Sequence, residues 1–183
     1  MLLVGVGGQG TILASKILTE GLLKAGYDVK CRRSTACRRG GNVSTQIRFG
    51  DKVYSPIMGK GEADVIVAFE KMEALRWIEY LKQGGEIVVN DFEMPTIPIQ
   101  IGAEQYPQGV LEILQEAADT VVIKAGDIAR DLGNSKTMNV VLLGALVKAM
   151  RLDEIDWEAL IRKNVKRGFE EINWNAFKEG YQI

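Results

Sequence analysis

The chain opens on MLLVGV, apolar apart from one glycine, the pattern of a strand covered on both faces. From Gln9 to about Ala25 the period changes: Ile12, Leu13, Ile17, Leu18, Leu22 and Leu23 recur at helical spacing, and Gly26 closes the helix. YDVKC predicts a second strand, followed by a polar, arginine-rich loop. NVSTQIRFG and then KVYSP alternate like an antiparallel hairpin turned at Gly50-Asp51. DVIVAF, EIVVND and TVVIKA are short apolar runs that read as strands of a parallel sheet. Between them lie a helix from about Glu70 to Lys82, ended by Gly84-Gly85, and a second helix over PQGVLEILQEAAD. Pro95 and Pro98 mark an irregular segment. A short helix over GDIARDLG, a long one from about Lys136 to Met150 and one or two amphipathic helices complete the chain.

Strand and helix alternate through most of this length, which predicts an α/β fold: a Rossmann-like, doubly wound, mainly parallel sheet with an antiparallel hairpin and C-terminal helices. At 183 residues the expectation is a single domain spanning 1–183. The longest apolar run, VVLLGALV, falls far short of the roughly 20 residues that cross a bilayer, so no membrane contact is expected. No basic region precedes the first apolar stretch, so no signal peptide is expected either. Cys31 and Cys37, the two cysteines, make neither a disulfide framework nor a metal knuckle, and the expected setting is reduced and cytoplasmic.

The chain contains no histidine, which removes imidazole acid–base chemistry, Ser-His and Cys-His nucleophile pairs and histidine metal ligands together. Neither a catalytic residue nor a metal site is assigned. Charge is nearly balanced, at −1 overall, but no acidic residue stands between Asp28 and Asp51, where Lys30, Arg32, Arg33, Arg38, Arg39 and Arg48 fall. That segment calls for an anion.

GVGGQG supplies a place to put one. A strand, a sharp glycine turn at Gly7, Gly8, Gln9 and Gly10, and a helix start gather backbone N–H groups and the positive end of a dipole at one point. The bland alternative is that these glycines only allow tight strand-to-helix packing. A nicotinamide fold wants an acid at the end of the second strand, about 20 residues on. Asp28 precedes that strand instead, and Arg32 and Arg33 end it, which disfavours NAD and leaves NADP open. CRRSTACRRGG then brings Arg32, Arg33, Arg38, Arg39, Gly40 and Gly41 to the same carboxyl edge of the sheet as the glycine turn. Its occupant is a coenzyme phosphate or an acidic partner, or the loop is simply solvated. Nucleic acid is not expected, because no aromatics interleave with the basic residues. Cys37 is either a thiol activated by its arginines or a small loop filler. NSKTMN caps the long helix or points Lys136, Thr137 and Asn139 into the crevice. Glu62, Asp64, Glu70 and Asp91 are scattered carboxylates, and Trp157, Phe169, Trp174 and Phe177 form a packing face, within the chain or against another subunit.

With VGVGGQG and ILASKIL, RRGGNVSTQIRFG, VYSP, GEADVIVAFE, EALR, LKQGGEIVVN and MNVVLLGALV in this order, the chain resembles the gamma subunit of 2-oxoacid:ferredoxin oxidoreductases and the equivalent beta subunit of the indolepyruvate enzymes. The resemblance covers residues 1–150 as the pyruvate/ketoisovalerate oxidoreductase gamma-type domain and leaves 151–183 as a helical extension. It implies a part in the oxidative decarboxylation of a 2-oxoacid, usually to an acyl-coenzyme A, with electrons passed to ferredoxin. Thiamine diphosphate, Mg and Fe-S clusters are then expected in partner subunits of alpha, beta and delta type. This chain would be inactive alone and would bind no cofactor of its own, with CoA at its interface near Gly7 to Gly10 and Arg39-Gly40-Gly41. Indolepyruvate enzymes commonly carry a glutamate and Gly-Met-Ala-Gln ahead of Arg-Gly-Gly. RRSTAC stands there in this chain, which points toward pyruvate, 2-oxoglutarate or a branched-chain oxoacid. Two other readings remain: a stand-alone NADP-binding reductase with Arg32 and Arg33 on the 2'-phosphate, and a non-enzymatic nucleotide-binding scaffold.

Overall fold

The opening apolar run forms β1 (Leu2–Val6), every residue of which is buried. It leads through the glycine turn into α1 (Thr11–Lys24) and then β2 (Asp28–Thr35). The computed structural model describes residues 1–35 and 42–183. β3 (Asn42–Gly50) and β4 (Ala63–Ala68) follow, then α2 (Lys71–Trp77) and β5 (Leu81–Asn90). Beyond them come the single turn α3 (Ile97–Gln100), α4 (Val110–Ala117), β6 (Asp119–Ile123), α5 (Ala125–Asp131) and α6 (Met138–Ala149). α7 (Trp157–Asn164) and α8 (Glu170–Gln182) are the C-terminal helices.

The strands form one six-stranded sheet in the order β2-β3-β1-β4-β5-β6. β1, β4, β5 and β6 are parallel, and β3 is antiparallel to both of its neighbours. The chain leaves β1 toward one edge by way of α1 and returns to build β4, β5 and β6 toward the other. Right-handed crossovers in opposite directions place helices on opposite faces. Leu3, Val65, Val67 and Val88 accordingly face α1, α6 and α8, while Leu2, Val4, Ile66, Ala68, Ile87 and Val89 face α2 and α4 through Ala74, Val110 and Leu114.

Two expectations change. The hairpin is not NVSTQIRFG with KVYSP turned at Gly50-Asp51. β2 and β3 are the antiparallel pair, in register from Asp28–Gly50 to Thr35–Val43, and residues 51–62 run without a strand to β4. β2 is longer than YDVKC because Arg32, Arg33 and Ser34 belong to it. It lies at the sheet edge, where charged side chains reach water and discourage pairing with other chains. The helix expected to Lys82 stops at Trp77; one turn of 3-10 helix, Ile78–Tyr80, then leads straight into β5. Gly84, at φ +74°, and Gly85 form an irregularity within that strand rather than a helix stop.

α6 is buried along nearly its whole length, from Asn139 to Val147, so its sequence shows no polar face. α8 lies directly against it. A Cβ on Gly144 would stand 2.1 Å from the carbonyl oxygen of Phe177, and one on Gly180 would stand 1.8 Å from that of Val141. Two glycines on facing helices let the backbones touch.

Candidate functional site

β1 ends at Val6 beside β4, the strand to its other side being the antiparallel β3. This is the switch point of the sheet, where crossovers diverge and open a crevice above the carboxyl ends. The glycine turn crosses it. Gly8 (φ +100°) and Gly10 (φ +79°) hold backbone conformations that side chains resist. A Cβ on Gly8 would meet nothing within 4 Å, whereas one on Gly10 would lie 2.5 Å from Nδ2 of Asn139. α1 begins at Thr11 with no side-chain cap on Gly10 and no acid in its first turn. An uncapped start on a 14-residue helix presents free N–H donors and a positive dipole end to an anion.

Beneath the turn, three buried amides stitch the strand ends together. Gln9 accepts from Val6 N–H through Oε1 at 2.7 Å and donates from Nε2 to the Phe69 carbonyl at 3.0 Å. Asn90, fully buried, donates to the same carbonyl at 3.2 Å and accepts from Ala125 N–H at 3.0 Å. Asn139 donates to the Gly10 carbonyl at 3.0 Å. The tips of β1, β4 and β5 and the start of α5 are thereby tied into one floor, each amide replacing the water its backbone partners lost. The amide of Gln9 faces this floor and Asn139 braces the turn from below. The other Asn139 atom, Oδ1, is buried without a hydrogen-bond partner.

Arg32 and Arg33 are exposed on β2, opposite Gln46 and Thr45. The carboxyl end of β2 does reach the edge that carries the glycine turn, since Thr35 pairs with Val43 and Val43 with Gly5. The intervening β3 nevertheless sets β2 two strand spacings, about 9–10 Å, from β1. Arg38, Arg39, Gly40 and Gly41, with Cys37, lie outside the described residues, between Thr35 and Asn42. Their two flanking strands end beside Val6.

Glu70, one of the scattered carboxylates of the sequence, is fully buried at the tip of β4. It caps α2 by accepting from Glu73 N–H at 2.9 Å, and it accepts from the Tyr106 hydroxyl and from Met94 N–H at 3.3 Å. Burial, and then Glu70, push the Tyr106 phenol far above its usual range, so it stays a donor. The segment between β5 and α4 is pinned over β4 in this way. Beside it, burial draws the Lys71 ammonium down, but Glu93 at 2.7 Å and Asp91 at 3.2 Å overcome this and leave it above its ordinary value. A buried acid after an apolar strand was the available signal, since a carboxylate there needs partners. Lys136 and Thr137 line a separate shallow cavity of about 250 Å³ with Leu13, Asn164, Lys166 and Phe169.

Among the described residues no group of three or more His, Cys, Asp or Glu is placed to hold a metal ion, and no helix is long and apolar enough to cross a membrane. The family model for pyruvate ferredoxin/flavodoxin oxidoreductase matches residues 1–183. The chain is 36% identical to indolepyruvate oxidoreductase subunit IorB of Pyrococcus horikoshii over 187 residues, covering 98% of this chain and 93% of that one. The fold matches the gamma subunit of a keto/oxoacid ferredoxin oxidoreductase from Geobacter sulfurreducens, with a TM-score of 0.72 at 23% identity over 99% of this chain and 95% of the other. It also matches 30% of a chain of 2-oxoglutarate:ferredoxin oxidoreductase from Magnetococcus marinus, solved with 2-oxoglutarate, coenzyme A and succinyl-CoA bound, with a TM-score of 0.72 at 21% identity over 99% of this chain.

Proposed function

The chain belongs to the pyruvate ferredoxin/flavodoxin oxidoreductase family, and from that premise we propose that it seats the anionic coenzyme of a thiamine diphosphate-dependent 2-oxoacid:ferredoxin oxidoreductase as its gamma-type subunit. Decarboxylation and electron transfer belong to thiamine diphosphate and iron–sulfur clusters in partner subunits of alpha, beta and delta type, with ferredoxin as the acceptor. This chain alone is inactive and works in the cytoplasm. Its residues bind and orient. The Gly7–Gly10 turn and the first N–H groups of α1 take coenzyme A phosphate, and Arg38, Arg39, Gly40 and Gly41 belong to the same proposed anion site through the basic charge of their segment.

One observation carries this reading: the uncapped, acid-free start of α1 at the switch point of the sheet. Asn139 serves the glycine turn from below, donating to the Gly10 carbonyl. The NADP reading is weaker than the sequence made it. A 2'-phosphate reader sits at the end of the strand beside β1, whereas Arg32 and Arg33 lie mid-strand with β3 in between.

For the oxoacid, RRSTAC pointed away from indolepyruvate, but 36% identity over nearly the whole chain to an indolepyruvate subunit outweighs a six-residue segment. An aryl 2-oxoacid is therefore the substrate class to test first. Calorimetric titration of the chain with coenzyme A and with NADPH tests the site: binding of coenzyme A alone is expected, and tight NADPH binding overturns it. Assay of the reconstituted complex with indolepyruvate, pyruvate and 2-oxoglutarate, reading reduced ferredoxin, tests the substrate. A higher kcat/KM for pyruvate or 2-oxoglutarate overturns that choice.

A further inference from the structure

Far from the glycine edge, α7 and α8 enclose a cleft of about 360 Å³. Its apolar part is a run of near-parallel rings. Trp174 and Phe177 stack at 5.3 Å and 15°, Phe177 and Tyr181 at 6.2 Å and 17°, and Trp157 and Phe177 at 6.2 Å and 28°. Trp157 Nε1–H is satisfied by the Leu152 carbonyl at 2.8 Å, so that ring offers the cleft no unmet donor. The charged lining is Asp153, Asp156 and Glu158 against the single ammonium of Lys178. Glu158 shares Arg162 with Glu171, Asp153 accepts from the Tyr181 hydroxyl and Asp156 caps α7, which leaves the acids in excess. That ammonium already lies over the Trp174 ring, 5.8 Å from its centroid.

Aromatic faces and carboxylates favour one chemistry together, a cation on an apolar stem. We propose that this cleft receives an arginine or lysine side chain of a partner subunit, anchoring the gamma-type chain in its assembly. The inference rests on the subunit role argued above. Trp157 and Phe177 are buried beneath the cleft, so the partly exposed rings of Trp174 and Tyr181 are the ones open to a side chain. A guanidinium held against rings and carboxylates is the usual composition of an interface anchor.

The test uses the full chain with the tandem variant Asp153→Asn/Glu158→Gln, which removes charge while keeping shape, and leaves the α7 cap Asp156 alone. Wild type and variant are each captured by the other subunits of the enzyme, and the dissociation constants are compared at low and high salt. The variant is expected to bind about tenfold more weakly at low salt and to lose part of the salt dependence, with a melting temperature only slightly lowered by loss of the exposed Glu158–Arg162 pair. In parallel, a tetra-arginine peptide is expected to shift the tryptophan emission of the free wild-type chain but not that of the variant, and tetraglutamate to shift neither. Equal affinity of variant and wild type for the subunits overturns the proposal, as does self-association of the free chain through these residues, which would make a second copy the occupant. Failure of the wild type to capture any thiamine- or cluster-bearing subunit overturns the subunit role itself, and with it the occupant.

Discussion

Glycine does opposite work at the two ends of this chain. At the crevice, Gly8 and Gly10 hold positive φ angles that keep a turn open above the sheet, and the space over Gly8 is empty. At the seam between α6 and α8, Gly144 and Gly180 are ordinary helical residues whose missing side chains let two backbones meet. Gly8 leaves open space above the turn and Gly10 lets Asn139 approach it, whereas the seam pair removes room between helices. Substitutions at the two places should therefore separate binding from stability, and the comparison fails if they do not.

The seam should show the largest effect. In Gly180→Ala the new methyl group meets the Val141 carbonyl at 1.8 Å, and in Gly144→Ala it meets that of Phe177 at 2.1 Å. Backbone cannot yield as a side-chain end can, so the helices must separate. Each variant is expected to lose about 3 kcal/mol, or roughly 6–12 °C in melting temperature, at the upper end of overpacking effects. A loss under 1 kcal/mol by thermal or urea unfolding would mean that α8 can shift freely, and the contrast would dissolve.

At the crevice the order reverses. Gly8→Ala is strained by its backbone angle, by about 1–2 kcal/mol, yet its methyl group points into open space. It is expected to cost the fold less than either seam variant while weakening coenzyme A binding by at least tenfold, read by titration calorimetry. Unchanged affinity would leave the glycine turn as packing alone. Gln9→Leu sharpens the point from below. It removes two buried hydrogen bonds at once and leaves Val6 N–H without its acceptor, so a loss of about 1–3 kcal/mol is expected.

This contrast was half visible in the sequence. The glycine turn declared itself because strand, turn and helix start are contiguous, and the doubly wound order followed from alternating apolar runs. The amides beneath the turn did not, since Gln9 meets Phe69 and Asn90 meets Ala125 only after the sheet is assembled. The β2–β3 pairing was hidden by chemistry. An edge strand such as β2 is polar because water reaches it, and so it reads as a loop. KVYSP alternates without pairing, while β3 buries Ser44 and Thr45 between two neighbouring strands. The glycine seam is silent for a similar reason: Gly144 and Gly180 look like weak points in helices until the helices are brought together.

The smallest effect lies at the opposite end of the strands from the crevice, where Glu86 on β5 is paired directly with Asp119 on β6. Burial first, and then the Asp119 charge, raise the Glu86 carboxyl above its ordinary value. Like charges facing across a ladder destabilise it. For a carboxyl raised in the folded state, the unfolded chain gives up its proton first as pH rises. The penalty is therefore absent in acid, grows as pH passes upward through the ordinary value of 4.5 toward the raised one, and is constant above that. Glu86→Gln is expected to stabilise the protein by a few tenths of a kcal/mol at pH 7, the residue being only partly buried, and to match the wild type below about pH 4. Unfolding curves at the two pH values check this. A gain that persists in acid would locate the effect in packing rather than in charge, and the amino edge would then owe its stability to the same kind of contact as the helical seam.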